Sequence, residues 1–549
     1  MSDKRIHELY RGLVSGQLSR RQFMGRAAAI GVSASAASLF LKAADTRAQD
    51  DPTPVPADVA APIVAEPCEG DACLFAGQTV TFLMPNETIQ VPLFEVREEF
   101  EAATGATLDI VLSPMNDTLP RLLEDVVNET GTFDASIIGA WWMGELVEGD
   151  YLLPVDDWIA DERFPQWDIE TVLPGPKALM QYGGPTYVTA YDHDGQAFYY
   201  RRDLFTDPTH MEAFAAEYGY DLPSPPQTWD QVGDLAAYFN GQDLDGDGEP
   251  DSGITMHLAV GQQAFFHFMS FSAPFVIGPE NTNMYWFNPD DMTPLITSPG
   301  HVAAINQLVE LVQYGPEAML AWGLTESWDY FLSGQAAMTF TWGDLGALAQ
   351  ETEERGGKSL VKGMTATSFI PGTMSYHNIN TGEDVATEEP NIVGNTTGGS
   401  WAPVISKYAA SPEAAYYLCA LMATEAKSKA YAARGFDGVD PGRTFHFPPP
   451  DGTGSIEDYV NAGWDEQDAV DYTSAYFRIF GNDLQFPYLK IPGTFEYWLA
   501  LDTHLSEAVT GQSSPEDALT AAASDFEDIT ERFGRDLQLA SYRSSMGFE

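Results

Sequence analysis

Between residues 79 and 139 short apolar runs alternate with amphipathic stretches, and few folds accommodate that order. Residues 79–84 read as a strand. Over 93–104, Leu93, Val96, Phe100 and Ala103 share one helical face, and Gly105 follows as a stop. Residues 107–112 form a second strand. Asp117 is expected to cap a helix that ends near Gly131, with Leu119, Leu122, Leu123 and Val126 on its apolar face. Residues 134–139 make a third strand. Strand, helix, strand, helix, strand with connections this short predicts a parallel sheet of the α/β class. Ligands of such sheets sit beyond the carboxyl ends of the strands. That rule gathers Met84-Pro85-Asn86-Glu87, residues 113–116 and Ala140-Trp141-Trp142 around one cleft.

What precedes this unit reads as an address. A basic, polar start leads to Ser19-Arg20-Arg21-Gln22-Phe23-Met24, then to a mild apolar run over 27–41, and Thr46-Arg47-Ala48 supplies a small residue before a cut. The pattern is that of a secretory signal, and its paired arginines resemble the twin-arginine type. The run is too short and too mild for a membrane span. Residues 1–48 are therefore expected to be a signal peptide, and the working form is expected in the periplasm. Residues 49–77, rich in Pro and Ala at the start, read as a tether. In an oxidising compartment Cys68 and Cys73, separated by Glu69-Gly70-Asp71-Ala72, are placed to form a local disulfide. Cys419, inside an apolar helical stretch, is expected to be a buried small hydrophobe.

The chain has 549 residues and a net charge of −54, and the acids are spread along its length. Such a field repels nucleic acid and anionic membrane surfaces, so neither is an expected partner. A hydrophobic fraction of 44% is enough for large cores and argues against disorder. No G-x-S-x-G elbow, H-E-x-x-H motif or phosphate loop occurs, so no enzyme class announces itself. In so acidic a chain, any glycosidase carboxylate pair would be an arbitrary choice.

Further blocks follow one another in order. They are Phe94-Glu95 through Gly105, Phe133-Asp134-Ala135-Ser136, and Gly149-Asp150-Tyr151-Leu152-Leu153-Pro154. Then come Gly184-Pro185-Thr186-Tyr187, Phe198-Tyr199-Tyr200-Arg201-Arg202-Asp203-Leu204-Phe205, and Pro226-Gln227-Thr228-Trp229-Asp230. The series closes with residues 331–338, Gly398-Gly399-Ser400-Trp401, Pro412-Glu413-Ala414-Ala415 and residues 507–520. Each is weak alone. The collinear set resembles the family-1 extracellular solute-binding proteins, the maltose-binding-protein-like components of ABC importers. The sequence departs from the family pattern where Val188 follows Tyr187 in place of Pro, where Arg201 replaces Asn, and in long segments at 275–295 and 436–465.

The resemblance implies a two-lobe, type II periplasmic-binding-protein fold with hinge crossings. Lobe 1 would comprise 78–190 plus about 402–445, and lobe 2 would comprise 191–400 plus about 446–549. Crossings are expected near 189–192 and 397–401, with a third somewhere in 435–490. It also implies capture of a carbohydrate or polyol, delivery to ABC permease subunits, and closure over the ligand; we expect a monomer. Flat aromatic rings cover the C–H faces of a sugar, while carboxylates and amides take its hydroxyls. Candidate ligand-binding residues are therefore Trp141, Trp142, Trp286, Trp342, Trp401 and Trp498, with Asp192 and Glu87. Two alternatives stay open: a secreted carbohydrate-active enzyme, and a binder of a cationic molecule such as a polyamine, since aromatic boxes also hold cations.

One motif stands apart from the resemblance. Asp243, Asp245, Asp247 and Asp251 occupy positions 1, 3, 5 and 9 of an EF-hand-type loop, with Gly248 at position 6 and Glu249 at position 7. Ile254 stands where the bidentate Glu belongs. Either the loop holds a structural Ca2+ or it is an uncoordinated acidic turn. Carboxylates this close repel one another without a cation, which favours the ion.

Overall fold

The structure is a computed structural model and describes residues 67–70, 73–394 and 400–548. The expected signal, the expected tether up to residue 66 and the expected start of the second crossing at 397 lie outside the described residues. Among the described residues no helix is long and apolar enough to cross a membrane.

Strands β1 (Thr79–Pro85), β2 (Thr107–Ser113) and β3 (Ala135–Gly139) pair in parallel in the spatial order β3-β1-β2. The intervening helices are Val91–Thr104 and Met115–Val127. The first ends where Gly105 takes φ 74°, a left-handed backbone that glycine adopts without penalty. The second is capped at Pro114, not at Asp117. Asp117 lies in its first turn, where a carboxylate still meets the positive end of the helix dipole. A fourth strand, β10 (Trp401–Ile405), joins this sheet antiparallel to β3, so the sheet is mixed rather than wholly parallel. In that register Trp401 lies opposite Gly139. Strand β10 enters the sheet from far along the chain, and its pairing leaves no local signature.

The second sheet has the order β5-β6-β4-β7, built from β4 (Gln196–Arg201), β5 (Ser252–Thr255), β6 (Ala336–Trp342) and β7 (Thr365–Ser368). Its inner strands β4 and β6 are buried at every position, hence their continuous rather than alternating apolar character. A hairpin of β8 (Thr373–Asn378) and β9 (Glu383–Asn391) stands beside it.

Three bodies of buried side chains follow from this. One draws on residues 75–191 and 402–439 around the first sheet. The others surround the second sheet and reach to residue 546. Trp141 packs against both the first body and the largest of the others. Cys68 and Cys73 are disulfide-bonded. Cys419 is buried, and burial raises its thiol far above the usual range. Arg201 also gains a reason. Its guanidinium pairs with Asp203 and donates to the carbonyls of Gly334 (3.0 Å) and Leu244 (3.4 Å), tying the acidic loop to the end of the helix Leu324–Leu332.

Candidate functional site between the lobes

Three segments cross between the two sheets, and Asp192 joins them. On the first crossing, Thr189 and Asp192 donate their N–H groups to the carbonyls of Pro403 and Trp401, each at 3.2 Å. The Asp192 carboxylate accepts the backbone N–H of Trp401 on one oxygen and that of Asp440 on the other, both at 3.0 Å. Asp440 lies in the 435–490 span where the third crossing is expected, and this hydrogen bond ties it to the first. The segment is held further where Leu173 donates to the carbonyl of Gly442 at 2.9 Å. Asp192 is 2% exposed, and burial holds its carboxyl above the ordinary range against the pull of those two amides.

Aromatic side chains meet across this hinge. Trp141 lies edge-on to Trp401 with centroids 4.9 Å apart, and Trp142 lies 5.6 Å from both. Trp498, from the helix Thr494–Val509, reaches Trp141 at 6.4 Å from the other side. Behind Trp498 stand Phe265, Phe266 and Tyr488, and Phe266 also meets Trp342 at 5.4 Å. Only glycine at position 139 permits this. A Cβ there would lie 2.3 Å from the Trp141 ring. Trp141, Trp142, Trp401 and Trp498 are therefore linked ring to ring, and Trp342 joins them through Phe266. Trp286 lies deeper in the largest of the bodies around the second sheet, 6.5 Å from Trp498, and its indole N–H is taken by the carbonyl of Pro487 at 2.8 Å. Glu87 sits on the exposed loop after β1, and the neighbouring Thr88 faces Gly438 on the third crossing.

Several buried polar atoms around this interface have no hydrogen-bond partner among the described residues. They include Trp498 Nε1, Tyr488 OH, His193 Nε2, Thr189 Oγ1 and Ser400 Oγ. The last three belong to residues that line a small cavity against the first sheet, together with Ile138, Ala140 and Asp192. An unpaired buried donor or acceptor costs about 1–3 kcal/mol, so each of these atoms calls for a partner from outside the protein.

At the floor, carboxylates converge. Asp194 precedes β4, Asp344 follows β6, and Asp440 lies on the third crossing. One carboxylate oxygen from each lies within 4.8 Å of the others. Burial and mutual repulsion push the carboxyls of Asp194 and Asp440 well up, and burial raises Asp344 to about 6. Tyr472 donates to Asp440 at 2.9 Å.

The rim is clamped as well. Glu145, on the helix Met143–Glu148, accepts the N–H of Gly493 at 2.8 Å. Lys490 donates to the carbonyls of Ala178 and Gln181, both at 2.7 Å. Gly144 lies so close that a Cβ on it would stand 2.3 Å from the Ile491 carbonyl carbon. Burial pushes Glu145 up to about 7 and Lys490 down to about 8. Sequence reasoning missed Asp344, Asp440, Glu145, Lys490, Tyr488 and Phe265–Phe266. Of these only the phenylalanine pair carried a signal, the phenylalanine-rich stretch of residues 264–276.

In the acidic loop, Asp243, Asp245 and Asp247 converge at the surface. Asp243 accepts from Gly246 and Gly248, and Asp247 accepts from Glu249 at 2.8 Å. Asp251 turns inward, buried, and accepts from Leu244 at 2.7 Å and Asp245 at 3.3 Å. Glu249 and Asp251 stand outside the converging trio.

Two sheet-centred lobes, three crossings and an aromatic-lined interface at the crossings define a two-lobe periplasmic binding protein. The chain belongs to the bacterial extracellular solute-binding proteins, whose family model matches residues 93–429. The overall structure is similar to three solved solute-binding proteins. One is an ABC transporter solute-binding protein of Agrobacterium radiobacter K84 in complex with ribitol, with TM-score 0.62 and 18% identity, covering 83% of this chain and 99% of that one. Another, from Agrobacterium vitis S4 with bound D-mannitol, has TM-score 0.59 and 19% identity, covering 83% and 99%. The maltose-bound MalE3 of T. maritima has TM-score 0.58 and 16% identity, covering 82% and 100%. By sequence, a Brucella abortus (strain 2308) chain, named provisionally as a binding protein, is 32% identical over 143 residues. That match spans 26% of this chain and 30% of the relative.

Proposed function

We propose that the protein captures a carbohydrate or polyol between its lobes in the periplasm and delivers it to the permease subunits of an ABC transporter. The observation that carries this is the tryptophan group bridging the crossings, set beside buried polar atoms that lack protein partners. Trp141, Trp142 and Trp401 would cover one face of the ligand, with Trp498 and Trp342 opposite. Thr189, His193 and Ser400 would take hydroxyls. Asp192 serves mainly to hold the crossings in place. The ribitol, mannitol and maltose of the similar structures support this ligand class.

The cycle is reversible. Ligand draws the lobes together, the Glu145–Gly493 and Lys490 contacts form as they close, and the solute leaves unaltered at the permease. Export through the twin-arginine route would deliver an already folded monomer. The loop of Asp243, Asp245 and Asp247 would hold a structural Ca2+, with the carbonyl of Glu249 completing the shell and Asp251 bracing the loop from within.

A second reading, a cationic solute such as a polyamine, draws on the carboxylates of Asp194, Asp344 and Asp440 near the tryptophans. A thermal-shift screen of sugars, polyols and polyamines, run with and without calcium, separates the two. Stabilisation by polyols or sugars is the expected result, and stabilisation by amines alone would replace the carbohydrate reading.

A further inference from the structure

We propose that Asp194, Asp344 and Asp440 form a divalent-cation site, best suited to Ca2+, that staples the hinge. The three residues come from different places: Asp194 from the first crossing, Asp440 from the third, and Asp344 from the end of β6. Their oxygens lie within 4.8 Å of one another. Oxygens bound to calcium at about 2.4 Å spread over the same range.

Asp194 is 8% exposed, and its Oδ1 has no hydrogen-bond partner among the described residues. A buried carboxylate oxygen facing two other carboxylates must either take up a proton or be met by a cation. None of the three forms an ion pair among the described residues, and on the same crossing Arg434 is committed to Glu95 and Asp437. Nearby, Tyr488 adds a buried, unpartnered hydroxyl at 4% exposure.

The donor set selects the ligand. It contains only oxygen, with no His or Cys, and so favours a hard cation. Three negative charges leave two uncompensated against a single ammonium group but only one against a divalent ion. The groups behind are placed as outer-shell supports. Tyr472 and Tyr476 donate to the two oxygens of Asp440 at 2.9 and 3.5 Å, and Tyr476 also donates to the carbonyl of Gly195. An ion here would join the first and third crossings by charge, as Asp192 joins them through amides. The site is independent of the surface loop at 243–247 and of the carbohydrate reading; on the polyamine reading the same carboxylates would meet the amine instead.

The test uses the chelator-stripped full chain titrated with CaCl2, followed by calorimetry and thermal unfolding. The triple variant Asp243→Asn, Asp245→Asn, Asp247→Asn silences the surface loop. That variant should still bind one calcium ion and gain about 3 °C or more in Tm at saturating calcium. Adding Asp194→Asn and Asp344→Asn should abolish both effects while leaving the metal-free Tm equal or higher, because the repulsion is relieved. If these further changes prevent folding, terbium luminescence on the loop variant decides. Emission sensitised by Tyr472 and Tyr476 and displaced by calcium at one ion per chain is the expected result. Absence of that emission, unchanged calcium binding after the aspartate changes, or stabilisation by putrescine without any response to metal would each overturn the site. Sugar binding without calcium binding would leave the ligand reading intact and remove this one.

Discussion

Asp192 and Asp440, far apart in the sequence, meet where a carboxylate oxygen of Asp192 accepts the backbone N–H of Asp440 at 3.0 Å. The other oxygen takes the N–H of Trp401, so one buried side chain carries the geometry of all three crossings. Asp192→Ala leaves two buried amides unpaired. A loss of about 2–4 kcal/mol in urea unfolding is expected, along with weaker ligand binding. A loss below about 0.5 kcal/mol would mean the crossings are held by other contacts.

The tryptophans divide by what their indole N–H meets. That of Trp498 has no protein partner, whereas that of Trp286 is satisfied by Pro487. Trp498→Phe should therefore weaken ligand binding about tenfold, the worth of one hydrogen bond to the solute. Trp286→Phe should cost about 1–3 kcal/mol of stability and leave the Kd within about twofold, since it strands a carbonyl instead. Calorimetry and urea melts on both variants check the contrast; equal affinity losses would contradict it.

Gly144 tests closure directly. Its missing side chain lets the helix Met143–Glu148 rest on the backbone of Lys490 and Ile491, and that backbone has no flexible end to yield. Gly144→Ala should prop the lobes apart, weakening binding and enlarging the ligand-bound radius of gyration in X-ray scattering. Unchanged scattering with unchanged affinity would show that this contact plays no part in closure.

Glu145 adds a dependence on pH. Burial raises its carboxyl from the ordinary 4.5 to about 7, so the folded protein holds that proton more tightly than the unfolded chain. Its contribution to stability is fully present below about pH 4.5 and is lost as pH rises towards 7. Glu145→Gln retains the acceptor for Gly493 and cannot ionise. The variant should gain on the wild type in Tm between pH 4.5 and 7 and run parallel above it. A pH-independent gap would remove Glu145 from the account.

The parts legible in the sequence share a property. The β1 to β3 unit announces itself because its signals are local: apolar spacing in the helix Val91–Thr104, a glycine at its end, and continuous apolar strands. Trp141 and Trp142 could be placed because they directly follow β3. Trp401 and Trp498 could be placed only through the order of resembling blocks, since nothing nearby in sequence says that β10 pairs with β3. Asp344, Asp440 and the Glu145–Gly493 contact were illegible for the same reason. Each owes its position to segments that meet only in the folded chain, and an aspartate in so acidic a sequence carries no distinguishing mark.

The central claim is reversible capture of a carbohydrate or polyol between the lobes. Isothermal titration of the purified, calcium-loaded chain against a panel of sugars and polyols tests it most directly, with mass spectrometry of the recovered ligand. The account predicts one-to-one saturable binding by a member of the panel, a negative heat-capacity change from burial of the tryptophan faces, and return of the ligand chemically unchanged. Binding confined to polyamines, or recovery of a cleaved or modified sugar, would contradict it.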